Sequence, residues 1–391
     1  MAPTTWLDKL EEELNIDVDW MDPDFLVQMQ PTIRFHDLTS NQNFVDVQMG
    51  HPSNVELLRD IAREVRDERA ANPDAEETKT HSLWLAIYTR MAVRMCKKVV
   101  DMIQGRVLLQ TSPAQAYDTA ATLAHARLYD AEFARVDIPR DRFCIKIPCT
   151  GPALAAARVL QDEGIQTLGT ALFGLPQAMA CSQAGCLYIS PYFNDVRAHD
   201  DRSIWPVVSD PAVEHPNAAR LVQILDLYRR QYAATGQRQP LLKNASFVSQ
   251  EEAMAAGEMG CHSATLFHTL ILDLAAHPYT AAERPGGMAA DEASRPKPAA
   301  DVPFYKDRPA PSARLAPLLT VDPLNKADPT TVAFSYDTVT AADYIADGGK
   351  QLDAAIDADP VAKERLDAAL TLFIACEKRS QDKVEKALAS L

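Results

Sequence analysis

Residues 143–150 read FCIKIPCT, an apolar run broken by one cation, Lys146. An ammonium ion is costly to bury without a partner, so its presence needs a reason. In a strand successive side chains face opposite ways; Phe143, Ile145 and Ile147 then share one face, and Cys144 and Lys146 the other. Two uses fit. Desolvation favours the free amine, which attacks a carbonyl to form an imine; alternatively the lysine pairs with a barrel aspartate or snorkels its head group to a rim. This strand by itself leaves both open.

Other strand-like runs carry polar groups of matching kind. In NIDVDW (15–20) Asp17 and Asp19 alternate with Ile16, Val18 and Trp20, which makes Asp19, at the end of the run, a candidate general acid/base. Asp22, ahead of Pro23, reads as a helix cap or a charge partner for Lys146 rather than a catalyst. In RFHDLTSN (34–41) Asp37, Thr39 and Asn41 share one face, and Gln110 lies near the end of GRVLLQTS (105–112). Thr170, Ser190, Tyr192, Asn244 and Ser246 sit near the ends of QTLGTALF (166–173), CLYISPYF (186–193) and PLLKNASF (240–247). Singly, such residues are more often turn or cap residues. Together they make a mouth of hydroxyls and amides around one lysine, which suits a small polyhydroxylated carbonyl substrate. The nine histidines form no HxH or HExxH pattern, and His199, His262 and His268 read as surface or core residues, so neither a metal nor a cofactor is expected.

These runs, with CHSATLF (261–267), predict eight strands. Helical stretches separate them: one from Asp22-Pro23, then 53–70, 81–104, 117–136, 151–163, 175–184, 216–234, 250–259 and 268–276. Such alternation over about 250 residues predicts a (β/α)8 barrel, which keeps its active site at the C-terminal ends of its strands. A doubly wound sheet would want GxGxxG opening a helix after the first strand, and none is present. Residues 279–330 hold most of a proline-rich stretch and read as an extended connection that can reach the mouth, though a surface linker is the plainer reading. Beyond it, Asp359-Pro360 starts a helix with Leu366, Leu370 and Phe373 on one face, expected to pack on the barrel as an appendage spanning 331–391.

The chain has 391 residues, 47% of them hydrophobic, enough for a large core, and a formal charge of −15, which disfavours nucleic acid and acidic membranes as partners. Seven cysteines without paired spacing suit a reducing compartment, and the acidic N-terminus lacks the pattern of a secretory signal. A cytoplasmic location is expected; a homodimer is left open.

The block KIPCTGPALAAARVLQDEGIQTLGTALFGLPQAMACSQAGCLYISPYFND resembles the central signature of the transaldolase family. Its parts are a Schiff-base lysine strand, a helix ending in EGI, a strand with a buried threonine, F-x-x-x-Q-A-x-A-x-x-A-G, and I-S-P-[FY]. HDLTSNQ is similar to the family's D-x-T-T-N-P segment and AYDTAATLAHARLY to its Y-D-T helix. The resemblance implies a metal-independent enzyme of carbohydrate metabolism, with the pentose phosphate pathway as the usual setting. Lys146 would be the imine-forming nucleophile and Asp19 the acid/base, with Asp22 as the fallback. Asn41 and Thr39 would hold substrate hydroxyls, Thr170 would position a water, and Ser190 and Tyr192 would line the pocket.

Three departures follow from the same alignment. Gln110 stands where transaldolases have glutamate, and Tyr192 where many have phenylalanine; both resemble the fructose 6-phosphate aldolase branch, so aldol cleavage or addition is implied alongside group transfer. The family's S-P-F-x-x-R arginine falls on Asp195, and its A-S-F-R arginine, a lysine in the aldolase branch, on Val248. Losing both cations removes a phosphate clamp. Arg197 or Lys243 would have to replace it; otherwise the substrate is an unphosphorylated ketone or aldehyde, as in an imine-forming condensation. A barrel that binds a small molecule without catalysis is the remaining alternative.

Overall fold

Eight short strands run parallel and close in sequence order: β1 (Asn15–Val18), β2 (Leu38–Thr39), β3 (Val107–Gln110), β4 (Phe143–Pro148), β5 (Thr167–Leu172), β6 (Tyr188–Pro191), β7 (Leu241–Asn244) and β8 (Ser263–Leu266), with β8 pairing back on β1. The computed structural model describes residues 4–280, 284–286, 297 and 302–391. The predicted (β/α)8 barrel is present. Around it lie α1 (Trp6–Glu13), α2 (Pro23–Met29), α3 (Gln42–Met49), α4 (Val55–Ala71), α5 (Glu76–Thr80), α6 (Leu83–Val99), α7 (Thr119–Arg135), α8 (Gly151–Asp162), α9 (Leu175–Gln183), α10 (Pro211–Glu214), α11 (Ala218–Thr235), α12 (Gln250–Met259) and α13 (His268–Ala276).

The strands are shorter than their runs, most of all β2. Thr39 is its last residue because Asn41 already accepts the amides of Asn43 and Phe44 (2.9 and 3.4 Å) and so starts α3, a helix that was not predicted. α1 was not predicted either; Thr5 and Asp8 close it with a capping box.

Strand alternation sorts the barrel into an outside and two inner layers. Ile16, Val18, Val107, Leu109, Ile145, Ile147, Ile189 and Leu266 face outward and join the helices in one core. Inside, Asp19, Thr39, Gln110, Lys146, Thr170, Ser190 and Thr265 form an upper layer near the C-terminal mouth. Two residues earlier on each of those strands come Asp17, Asp37, Leu108, Cys144, Leu168, Tyr188 and Ser263, the lower layer. Leu108, Cys144, Leu168 and Tyr188 make a separate apolar cluster there, a floor beneath the upper layer.

Part of the predicted connection over 279–330 lies outside the described residues. From Val302 onward the chain is strapped to the barrel's flank rather than its mouth: the Tyr305 hydroxyl donates to the Pro240 carbonyl (2.9 Å), Arg314 pairs with Glu258 (2.7 Å), and Asp322 with Arg220 (3.0 Å). What crosses the mouth is the C-terminal helix, Pro360–Ala389, capped by Asp359. Leu366, Leu370 and Phe373 are buried in the common core, as their spacing predicts. The helix passes the loop after β6, where Glu364 meets Arg197 (2.7 Å), then the loop after β3, where Glu377 meets Ser112, and ends against α3, where Arg379 and Lys383 pair with Asp46. Before it, Ala346–Asp357 packs on α8: Asp353 accepts the Gly151 amide (2.7 Å), and the Gly349 backbone, at φ 83°, fills the space a Cβ on Gly151 would need.

Burial pushes the Glu377 carboxyl up to about 7, although the Ser112 hydroxyl and the Ala114 amide favour its charged form. A carboxyl raised on folding contributes stability that is complete below its unfolded value and lost as pH rises through the folded one. Glu377→Gln is therefore expected to flatten the fall in the urea midpoint between about pH 5 and pH 8, an effect of up to roughly 3 kcal/mol. An unchanged pH profile would mean that Glu377 ionises without cost in the folded chain.

Candidate active site

Lys146 is fourth in β4 and is the register partner of Gln110 on β3 and Leu168 on β5. It is almost completely buried, yet forms no salt bridge among the described residues. Burial drives its ammonium pKa down, and the charge of Asp19 only partly opposes this. Asp19 follows β1 and keeps some accessible surface. Burial raises its carboxyl pKa against the charge of Lys146 and the Thr39 hydroxyl, which donates to Asp19 Oδ1 (2.5 Å). Both shifts favour uncharged groups, an amine able to attack and a carboxylic acid able to donate.

The neighbouring strand ends are braced from behind. Gln42 donates through Nε2 to the carbonyls of Gln110 and Thr111 (3.1 and 3.0 Å), and the Thr111 amide donates to the Lys146 carbonyl (3.0 Å). On β5 a register shift follows Thr170, with Ala171 at φ 53°. Left-handed backbone at a non-glycine residue is strained, and Gln177 secures it by accepting the Phe173 amide (2.8 Å) and donating to the carbonyls of Cys149 and Ala171 (3.0 and 3.2 Å). Thr170 thereby meets the Tyr192 hydroxyl at 3.1 Å. Gln110, at both amide atoms, and Thr265, at its hydroxyl, are buried without a hydrogen-bond partner among the described residues. Orphaned polar atoms beside Lys146 and Asp19 suit a ligand with hydroxyl and carbonyl groups.

Lys243 is the second lysine inside the barrel, and it answers the other reading of such a residue. Its Nζ lies 2.8 Å from both Asp17 and Asp37, 3.2 Å from the Ser263 hydroxyl, and over the Tyr188 ring. Burial alone would lower its pKa, but the two carboxylates override burial and hold the ammonium well above its usual range. The donor atoms of Asp17, His36 and Asp37 lie close enough together to bind a cation, and the Lys243 ammonium already fills that role.

Of the predicted residues, Lys146, Asp19, Thr39, Gln110, Thr170 and Ser190 share the upper layer, with Tyr192 just above. Asn41 stands at the rim, its Oδ1 committed to capping α3. Ser246, at φ 65°, meets His199 (3.0 Å) in the loop after β7. Four placements differ from expectation. Asp37 is one layer too low and tied to Lys243, because two residues of strand are a step of about 7 Å. Lys243 is held by that same pair and is not available to a phosphate. Arg197 is spent on Asp195 (2.5 Å) and Glu364. Asn244 alternates with Lys243 and so falls on the side of Leu242, away from the upper layer. Asp22 is a cap, accepting the Asp24 amide (3.0 Å).

The sequence reading missed Thr265, although its alternation with Ala264 and Leu266 was a usable signal. It also missed an aromatic rim beside Asp19, where Trp20 stacks near His268 (4.4 Å) and meets Phe44 and Phe267 edge-on (5.9 and 5.5 Å).

The site is thus a closed barrel whose mouth holds a buried lysine, without a salt bridge among the described residues, beside the carboxyl of Asp19. A family profile described as Transaldolase/Fructose-6-phosphate aldolase matches residues 16–301, and the chain belongs to that family. Proteins named Transaldolase from Rhizobium leguminosarum bv. trifolii and Histophilus somni are similar to it at 28% and 26% identity, covering 70% and 77% of this chain and 78% and 89% of theirs. One from Nostoc punctiforme is 36% identical over 37% of this chain. The match spans less than half the length of that relative and of those from Gloeobacter violaceus and Synechocystis (44%, 46% and 41%). No described helix is long and apolar enough to cross a membrane.

Proposed function

We propose that the protein makes or breaks a C–C bond of a hydroxylated ketone through an imine on Lys146. The observation that carries this is the contrast between its two barrel lysines, one locked by two aspartates and the other buried without a salt bridge beside Asp19. Lys146 Nζ attacks the carbonyl carbon, and the carbinolamine loses water to give an iminium. Asp19, directly or through a water held by Gln110 and Thr170, takes the proton of the hydroxyl one carbon beyond the α-carbon. The C–C bond then breaks, an aldehyde leaves, and its bonding pair enters the iminium to give an enamine. The enamine either adds to an acceptor aldehyde or takes a proton and is hydrolysed. Gln110 and Tyr192 line both routes, so transfer and aldol cleavage share the path as far as the enamine.

Borohydride reduction in the presence of a panel of ketoses, followed by peptide mapping, tests the reading; the adduct is expected on Lys146. Asp19→Asn is expected to keep an adduct but lower turnover by roughly 10²- to 10⁴-fold, as loss of a general acid/base does. Turnover within a few fold of the parent protein would remove Asp19 from the proton-transfer role.

A further inference from the structure

The buried arginines Arg90, Arg220 and Arg284 are paired. Arg90 meets Glu68 and Glu132 (2.8 and 3.0 Å), Arg220 meets Asp322 and Asp359 (3.0 and 2.7 Å), and Arg284 meets Glu13 (2.7 Å). Arg365, on the C-terminal helix, departs from this pattern. Its one hydrogen bond among the described residues is a long one, Nη1 to Asn217 Oδ1 at 3.5 Å. Protein surrounds it closely enough for burial to push it down to about 10, yet the side chain keeps accessible surface, as a group lining a recess does. A guanidinium has five N–H donors in a fixed fork, so most of its bonding capacity is unspent.

The charges facing it are committed elsewhere. Asp195 and Glu364 are turned to Arg197, and Asp359 to Arg220, which with Asp322 forms its own pair. Arg365 also stands close to the site. Asn217, its one partner, donates through Nδ2 to the Tyr192 carbonyl (2.6 Å), and the Tyr192 hydroxyl reaches Thr170 in the layer of Lys146. It further stands within electrostatic reach of Asp195, the position on which the family's first phosphate arginine falls. A cation missing from the loop after β6 is thus offered to the same place by a helix crossing the mouth.

We propose that Arg365 binds the terminal oxyanion, phosphate or carboxylate, of the carbonyl compound that reaches Lys146. This rests on the imine reading for what happens to the ligand, but not for its binding. Two assays on the full chain separate the two. In the first, borohydride trapping is titrated with a ketose phosphate, the free ketose, and a keto acid of similar length, for the parent protein, Arg365→Gln and Arg365→Lys. Arg365→Gln is expected to raise the half-saturating concentration of whichever anionic ketone the parent protein prefers by roughly 10- to 100-fold, the range of a charge-assisted bond, and that of the free ketose by less than threefold. Arg365→Lys is expected to recover part of the difference. An equal effect on all three ketones, or a parent protein that prefers the free ketose, overturns the proposal. In the second assay, inorganic phosphate and acetate binding are measured by NMR without any ketone. Loss of phosphate or acetate binding in a folded Arg365→Gln supports the proposal even if no imine forms; unchanged binding, or none by the parent protein, overturns it.

Discussion

Lys146→Met is expected to fold, to give no borohydride adduct with any ketose, and to lose turnover by about 10⁴-fold or more, the scale seen when a nucleophile is removed. The expectation that it folds comes from what Lys146 lacks. It forms no salt bridge among the described residues, and Met is unbranched and of similar length, so little is forfeited in packing. Burial already drives Lys146 toward its neutral form, so methionine replaces an amine that the site does not favour as a cation. Asp19 loses the charge that opposed its upward shift and is expected to hold its proton to a higher pH. Lys146→Arg should be the harsher change for the fold, because a guanidinium stays charged in the same space. Mass mapping after borohydride, beside thermal melts of both variants, checks the pair of statements. An adduct that survives in Lys146→Met, on any other lysine, would sink the assignment.

The barrel and the upper layer were legible because both depend on alternation. A strand carries its polar residues inward at every second position wherever the intervening residues are Ile, Val and Leu, and Asp19, Gln110, Lys146, Thr170 and Ser190 all follow that rule. Height along the strand was less legible. Asp37 and Thr39 share a face but stand in different layers, so one belongs to the Lys243 cluster and the other bonds Asp19. The role of each lysine was not legible at all from its own strand. PLLKNASF and FCIKIPCT look alike; what separates them is a pair of aspartates from the opposite end of the barrel sequence, and a contact of that range leaves no mark in local pattern. The C-terminal helix shows the same limit. Its apolar spacing predicted Leu366, Leu370 and Phe373 as the packed face, whereas Glu377 and Arg365 became informative only once the helix was seen to cross the mouth. α3 escaped notice because its signal, Asn41, also fits a substrate-binding residue; the side chain has two ends, and the oxygen went to the cap.

The same contrast predicts the largest effect on stability. Lys243→Met is expected to destabilise the folded chain by about 3–5 kcal/mol, the cost of leaving a buried charge without its partner. Lys243 is fully buried, and so are the two carboxylates it bridges, each 2.8 Å from Nζ. Without it, Asp17 and Asp37 face each other in the lower layer with the partly exposed His36 ring 3.8 and 3.4 Å away. Asp37 still accepts the Arg106 amide (2.6 Å) and Asp17 the Asp37 amide (3.1 Å), so neither is stripped of every bond, but one of them must take up a proton. The penalty should therefore shrink as pH falls and the aspartates protonate, and most of it should vanish in the triple variant with Asp17→Asn and Asp37→Asn, where no charge is left to balance. Urea midpoints of the parent protein, single and triple variants at two pH values measure this. The test also separates the lysines by function: in Lys243→Met whatever fraction remains folded should still be trapped on Lys146, because Lys243 and its aspartates belong to the lower layer, with Leu108, Cys144, Leu168 and Tyr188, and not to the layer of Lys146. A stable Lys243→Met that forms no adduct would instead place Lys243 in the chemistry and dissolve the division of labour between the two layers.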